Sequence, residues 1–155
     1  MGQNNFEKDL AVERVTIKEI VDFMQSNFPV AELQEVNYDF RYDLKYKNTQ
    51  NNKFFTIEVK EDFRCEDTGN IAVESESWGK TSGIEKSYAT YHLFKVHVGH
   101  GKKEYLVIRT EDLKVAINNK LYFKQLQCNN LDSKNKIYLF KLKVLEDIST
   151  RQYKI

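Results

Sequence analysis

Two stretches of alternating polar and apolar residues constrain the fold of this chain most strongly. In residues 36–46, VNYDFRYDLKY, apolar or aromatic side chains alternate with polar and charged ones. Residues 54–62, FFTIEVKED, repeat the pattern, with Phe55, Ile57 and Val59 on one face. Alternation with a period of two is typical of a β-strand that buries one face. Because only a short polar stretch separates the two segments, we predict that they form an antiparallel hairpin.

The flanking sequence predicts helices and further strands. Apolar residues spaced three and four apart predict a helix over residues 6–24, capped by Asn5 and ended before Pro29. The other predicted elements are a strand over residues 70–76, a short helix from Ser82 to about Tyr91, a hairpin of residues 91–98 and 104–110, a helix over residues 110–119 capped by Thr110, and a strand over residues 136–145. This order predicts a single α/β domain over residues 1–155.

The composition fits a folded domain that does not attract polyanions by its overall charge. The net charge is +1 over 155 residues, so a nucleic acid must be met by a local patch or by bound metal. Cys65 and Cys128 lie far apart and outside any CxxC motif, which suits a reducing compartment. The sequence shows no secretory signal and no apolar run of membrane-spanning length. We expect a soluble cytoplasmic protein with no membrane partner.

Charged residues on the predicted hairpin form a candidate catalytic site. When the two strands pair, Asp43 and Glu58 meet on one face, and Lys60 stands one pleat farther along. Two converging carboxylates suit a hard divalent cation, and a neighbouring lysine can orient an attacking water. Glu13 interrupts the apolar stripe of the first helix, where an unpaired carboxylate would be costly without a cation or partner. We therefore predict that the helix brings Glu13 to the same site.

The pattern of Asp43 followed one strand later by Glu58-Val59-Lys60 resembles the PD-(D/E)xK phosphodiesterase superfamily. The Glu-bearing first helix and the segments EVKEDF, DTGNIAVE and GKTSGI are similar to phage and bacterial members of that superfamily, which include endonucleases and resolvase-like proteins. The resemblance implies a restriction-endonuclease-like core in the order α-β-β-β-α-β, with a mixed central sheet flanked by helices and extra C-terminal elements. It also implies a DNA endonuclease that depends on Mg²⁺ or Mn²⁺, with structure-selective, resolvase-like cutting as one form.

The same resemblance implies a role for each site residue. The implied metal ligands are Asp43, Glu58 and the backbone carbonyl of Val59, joined by Glu13 directly or through water. Lys60 is implied to orient the nucleophilic water for in-line attack on a phosphodiester. Cutting both strands, or resolving a junction, would favour a homodimer.

The loop SESWGKTSG offers candidate contacts to nucleic acid. A ring and a cation on one loop can stack on a base and neutralise a phosphate. The candidate nucleic-acid-binding residues are Trp78, Lys80, Ser82 and Lys86. A lone loop tryptophan also commonly packs against its own domain, so both interpretations stay open.

Each candidate in the catalytic site has an alternative interpretation. Glu58 and Lys60 can form a solvated surface ion pair. Glu13 can reach solvent from the edge of its stripe. Asp39 has the same strand parity as Asp43, which is favoured because it lies nearer the motif position.

Other polar residues, and the function itself, also have alternatives. Glu74 and Asp62 can support a metal site or remain solvated charges. His97 and His100 flank the second hairpin turn and are interpreted as turn residues rather than metal ligands. The alternative functions are a catalytically inactive nuclease-fold module that binds nucleic acid or a protein partner, and an unrelated α/β interaction domain.

Overall fold

The computed structural model describes residues 2–37, 42–77, 80–81, 84, 87, 89–129 and 134–154. Within these ranges the elements are α1 (Gly2–Asn27), β1 (Ala31–Val36), β2 (Leu44–Asn48), β3 (Lys53–Asp62), α2 (Cys65–Thr68), β4 (Asn70–Ser77), β5 (Lys80–Thr81), β6 (Tyr91–Gly99), β7 (Lys102–Arg109), α3 (Thr110–Asn118), β8 (Lys124–Asn129), β9 (Lys134–Lys141), α4 (Leu142–Ile148) and β10 (Arg151–Lys154). None of the described helices is both long enough and apolar enough to cross a membrane.

A six-stranded mixed sheet forms the centre of the fold, in the order β1-β2-β3-β6-β7-β10. Its neighbouring strands are antiparallel except for β3 and β6, which run parallel. Helix α1 covers one face, where Ile20 and Met24 pack with Leu44, Ile57 and Leu93. The apolar stripe of the first helix therefore faces the sheet, and the prediction of an α/β fold with a mixed central sheet and flanking helices is confirmed at that level.

A second sheet of four antiparallel strands, in the order β5-β4-β9-β8, lies on the opposite face. Its residues Ile71 and Phe140 pack with Phe94 of β6, together with side chains from α3 and α4. Residues 92–96 of β6 and 104–108 of β7 are buried without interruption. Strands covered on both faces have this continuous burial, so the centre of the main sheet is enclosed between α1 and the second sheet.

The predicted hairpin forms between β2 and β3, with Leu44 opposite Ile57. The prediction of one continuous strand over residues 36–46 is wrong. β1 ends at Val36, β2 begins at Leu44, and these two residues are partners in an antiparallel pair. The alternating pattern continues through both strands, so the pattern alone does not reveal the reversal between them. Asp39 lies outside the described residues.

Both predicted helix caps are wrong. Helix α1 begins at Gly2, so Asn5 lies inside the helix. Helix α3 begins at Thr110, and its N-cap is Arg109 without a side-chain capping bond. The Thr110 hydroxyl contacts the ring of His92 instead, because this threonine is buried beside β6.

The downstream strands agree with the sequence in part. The hairpin of β6 and β7 is confirmed, and its turn places His100 and Gly101 at positive φ. The strand predicted over residues 70–76 forms as β4, but it belongs to the second sheet, so the three predicted strands are not neighbours in one sheet. The segment 136–145 is a strand only as far as Lys141 and then continues as helix α4. Most of the short helix predicted from Ser82 lies outside the described residues, and β6 has already begun at its predicted end.

Candidate functional site

Asp43 lies directly before the first residue of β2, where β3 extends beyond its antiparallel partner. Its backbone N–H donates to the Ile57 carbonyl over 3.0 Å. Its carboxylate atom Oδ2 accepts the next hydrogen bond along β3, from the Val59 N–H over 2.7 Å. The side chain thereby takes the place that a further backbone carbonyl of β2 would occupy. This bond fixes Asp43 at the edge of β3, next to Val59.

The surroundings of Asp43 disfavour its ionised form. Burial raises the pKa of Asp43 to about 6, and repulsion from Glu58 and Glu13 adds to the effect. The Val59 N–H and the Lys60 ammonium oppose that rise without cancelling it. Asp43 thus interacts with all the predicted site residues, and it carries a negative charge that its present neighbours do not fully compensate.

Glu58 is held by three partners. Its Oε2 atom accepts a hydrogen bond from the Ser87 hydroxyl over 2.9 Å and lies 2.9 Å from His92 Nε2. Lys60 Nζ lies 3.4 Å from the other oxygen, Oε1. Burial alone would raise the pKa of Glu58, but His92, Lys60 and Ser87 outweigh it and lower the pKa to about 2. The two neighbouring carboxylates, Asp43 and Glu58, therefore differ strongly in acidity.

His92 is a site residue that the sequence did not indicate. Its side chain is 2% exposed, its Nδ1 atom lies 2.8 Å from the Thr110 hydroxyl, and its Nε2 atom faces Glu58. The ring N–H is poorly aligned with the Glu58 oxygen, so this contact is electrostatic more than a directed hydrogen bond. Glu58 and His92 are direct partners in the parallel pair of β3 and β6. A histidine in a strand rich in apolar residues was the available signal, but its partner Glu58 lies in a distant segment of the chain.

A cavity of about 310 Å³ lies between α1 and the edge of β3. Glu13 lines it together with Asp43, although Glu13 is exposed and not buried in the apolar stripe as its position suggested. The described residues that line it are Val12, Glu13, Thr16, Ile17, Asp43, Val59, Glu61 and Phe63. The structure therefore brings Glu13 and Asp43 into one cavity with Val59.

Glu58 and Lys60 point to the other face of β3. Lys60 lines a cavity of about 200 Å³ between the two sheets, shared with His92 and Glu74. Its side chain is 47% exposed, so the ammonium group is accessible from solvent. Asp43, at the strand edge, lies between the two groups of residues. The residues predicted for the site thus lie on both faces of β3 near one edge and do not share one pocket.

A second polar network on the α1 face was also missed. Glu61 accepts a hydrogen bond from Thr16 of α1 and lies 3.3 Å from Lys95 and 2.7 Å from His97. The buried Lys95 ammonium lies 2.7 Å from Glu19, one turn farther along α1. Thr16, His97 and Lys95 lower the pKa of Glu61 against the opposing effect of burial. This network joins the helix that carries Glu13 to β3 and β6, and it shows that His97 is more than a turn residue.

The structure shows the surroundings of Asp62 and Glu74, whose roles the sequence did not decide. Asp62 accepts backbone hydrogen bonds from Arg64, Cys65 and Ala72, so its carboxylate caps α2 and joins it to β4. Glu74 is exposed and lines the cavity of Lys60. Of the four candidate nucleic-acid contacts, Trp78, Ser82 and Lys86 lie outside the described residues, as does the side chain of Lys80.

The described residues contain no preassembled cluster of three or more Asp, Glu, His or Cys side chains that could hold a metal ion. The carboxylates that interact at the strand edge are Asp43, Glu58 and Glu13. In an extended strand the N–H and C=O of a residue point to the same side, so the Val59 carbonyl faces the edge at which Asp43 lies.

Comparison with known proteins gives no assignment. No family model matches the sequence, and neither a curated protein nor a solved structure matches it. The function is therefore argued from the site itself.

Proposed function

We propose that this chain is a metal-dependent DNA endonuclease of the PD-(D/E)xK kind. The observation that carries the proposal is the position of Asp43. Its carboxylate is bonded to the Val59 N–H, and it interacts electrostatically with Glu58, Lys60 and Glu13. This is the set of residues that the sequence pattern singled out, gathered around one strand edge that solvent can reach. The same proposal includes a cytoplasmic location, where DNA is accessible. It also includes a homodimer, which would allow both strands to be cut.

The residues at this edge fit a hard divalent cation. The donor set consists of carboxylate and carbonyl oxygens, which Mg²⁺ and Mn²⁺ prefer over nitrogen or sulfur. Asp43 carries a charge that burial and its acidic neighbours disfavour, and a cation would relieve that cost. We assign Asp43, Glu58 and the Val59 carbonyl as ligands, with Glu13 acting directly or through water.

The chain's own residues have distinct tasks in phosphodiester hydrolysis. The bound cation supplies Lewis-acid polarisation of the phosphate and a more acidic water. Lys60 orients the attacking water and stabilises the negative charge that develops on the phosphate oxygens. Glu58 holds the Lys60 ammonium over 3.4 Å and keeps it near the site. Asp43 is fixed by the backbone of β3, which limits its motion during the reaction.

A specific observation favours the alternative of a catalytically inactive module. Glu58 already has three close partners, His92, Ser87 and Lys60. A carboxylate compensated in this way can be a structural element that joins β3 to β6, with no need for a cation. The two functions differ in their response to divalent metal, which gives a direct test.

The first experiment measures Mn²⁺ binding to the wild type and to Asp43→Asn by calorimetric titration. We expect the wild type to bind and the variant to lose at least tenfold in affinity. Asp147→Asn is the matched control, because Asp147 is an exposed carboxylate on α4 that pairs only with Lys143 among the described contacts. Absence of Mn²⁺ binding by the wild type would contradict the nuclease proposal and favour the inactive module.

The second experiment measures cleavage of labelled duplex, branched and single-stranded DNA with Mg²⁺ or Mn²⁺. We expect Lys60→Ala to lower the rate by about a hundredfold or more, because Lys60 acts in the transition state. Lys143→Ala, an exposed lysine on α4, is the matched control. The mechanism is wrong if the wild type cuts none of these DNAs, or if Lys60→Ala cuts as fast as the control.

A further inference from the structure

The cavity beside Asp43 has one feature that metal binding does not explain. Phe63, directly after β3, is 53% exposed, although it is a large aromatic side chain. Its ring is stacked on the ring of His97, with centroids 4.5 Å apart and planes inclined by 16°. His97 is in turn held by Glu61 over 2.7 Å. One side of the Phe63 ring is therefore supported, and the ring is oriented before any ligand arrives.

Aliphatic side chains beside Phe63 form the rest of a slot, which is lined by Val12, Val15 and Phe63. Val12 of α1 lines the same cavity and is 45% exposed. Val15 and Phe63 line an open extension of it, in which Val15 is also largely exposed. The volume of about 310 Å³ is at the small end of the range of roughly 300–1,000 Å³ typical of small-molecule sites. The slot is thus suited to one flat ring system and not to a folded segment.

The charges of the cavity disfavour a phosphate inside it. Among the described residues, the charged side chains that line it are Glu13, Asp43 and Glu61, all of them acidic, and the open extension adds the buried Lys95, which is already paired with Glu19 and Glu61. Glu13 and Asp43 are assigned to the cation, so the exposed ring of Phe63, and not hydrogen bonds to these carboxylates, favours a base. A nucleotide bound at the strand edge would keep its phosphate beside the cation and turn its base into the slot.

We infer that this cavity binds one unpaired nucleobase, stacked on Phe63, beside the phosphate that is cut. This inference rests on the proposed function and names its substrate class as DNA with an unpaired nucleotide at the cut site, either single-stranded or at a branch. In a continuous duplex each base is stacked between its neighbours, so the slot would stay empty unless the base were extruded at a cost.

The test measures binding by fluorescence anisotropy in Mg²⁺, with Lys60→Ala as the background so that no cutting intervenes. Three DNAs of equal length are compared: a single strand, a duplex, and a single strand with several bases removed to leave the sugar-phosphate chain. Phe63→Ala is compared with Phe63→Trp in the same background, and thermal melting shows that both variants are folded. Because Phe63 is half-exposed, neither substitution disturbs the core.

We expect Phe63→Ala to weaken binding of the single strand by about tenfold, the scale of one base stacked on an aromatic ring. Phe63→Trp should keep the affinity, and binding of the duplex should not change. The protein that keeps Phe63 should bind the base-free strand as weakly as the Phe63→Ala variant binds the intact strand. The inference is overturned if Phe63→Ala affects single strand and duplex equally, affects neither, or leaves the base-free strand bound as tightly as the intact one.

Cleavage by the protein with Lys60 intact separates this inference from the function on which it rests. If Phe63 discriminates between the DNAs as expected but nothing is cut, the base site stands and the nuclease proposal fails. If DNA is cut and Phe63→Ala cuts single-stranded and duplex DNA in the wild-type ratio, the nuclease proposal stands and the base site fails.

Discussion

At the scale of single residues, the environment of Asp43 lowers the stability of the folded protein when its carboxylate is ionised. Its pKa is raised from 3.8 to about 6, so the folded state holds a proton that the unfolded chain releases between these values. The penalty is absent below pH 3.8, grows as the pH rises, and is complete above about pH 6. A residue that destabilises the protein at neutral pH and is nevertheless bonded firmly to β3 is typical of a functional site.

Asp43→Asn should therefore stabilise the protein at pH 7.5, by about 1–3 kcal/mol. The amide keeps an oxygen that can accept the Val59 N–H, and it carries no charge to be desolvated. Urea denaturation of both proteins at pH 4 and pH 7.5 measures the effect. The difference should be small at pH 4 and large at pH 7.5, and a variant that is less stable than the wild type at pH 7.5 would contradict this account.

His92 should contribute to stability through the position of Glu58. His92→Ala removes a buried ring, leaves a cavity and takes away one partner of a buried carboxylate, so we expect a loss of about 2–4 kcal/mol. Thr110→Val, which removes only the contact of the hydroxyl to Nδ1, should cost about 1 kcal/mol. Urea denaturation at pH 7 measures both. Equal losses in the two variants would indicate that the Glu58 contact adds nothing.

At the scale of elements, the polar network of Lys95 fastens α1 to the sheet. Lys95→Met keeps much of the side-chain volume but leaves Glu19 and Glu61 near each other without their shared cation. We expect a loss of about 3 kcal/mol and faster amide hydrogen exchange throughout α1. Lys143→Met, at an exposed pair on α4, is the control. Unchanged exchange in α1 would show that apolar packing alone holds the helix.

The elements also show how far the sequence leads. Alternation over residues 54–62 predicts β3 and its pairing with β2, and these place Asp43 beside Glu58. Local pattern cannot predict the parallel pairing of β3 with β6, because the partners are more than thirty residues apart. That pairing brings His92 to Glu58 and Lys95 to the Glu61 network. His92 and the Glu61 network were therefore missed, whereas the pairing of β2 with β3 follows from the local pattern.

The ends of elements were missed for a related reason. Residues 136–145, KIYLFKLKVL, are apolar or basic throughout, yet the chain changes from strand to helix after Lys141. Leu145 of α4 is fully buried in the core between the sheets. Tertiary packing decides the conformation there, and a short apolar segment by itself fits either a strand or a helix.

At the scale of the whole molecule, folding, protonation and cation binding are linked through Asp43. A cation binds the ionised carboxylate, and a proton competes with it. When the pH falls below the pKa of Asp43, which is about 6, the apparent affinity for Mn²⁺ should fall by up to tenfold per pH unit. Above pH 7 the affinity should be constant. Because a ligand that binds only the folded state stabilises it, the same competition must appear in the melting temperature.

Thermal melting at pH 5 and pH 7.5, with and without Mn²⁺, measures this linkage. With Mn²⁺ at a hundred times its dissociation constant at pH 7.5, stabilisation should be about 2.7 kcal/mol, or about 5–10 °C for a chain of this size. At the same Mn²⁺ concentration the shift should be clearly smaller at pH 5, and Asp43→Asn should show little shift at either pH. A shift that is equal at both pH values, or that persists in Asp43→Asn, would show that the cation does not bind at Asp43. The proposed chemistry at this edge of β3 would then be wrong.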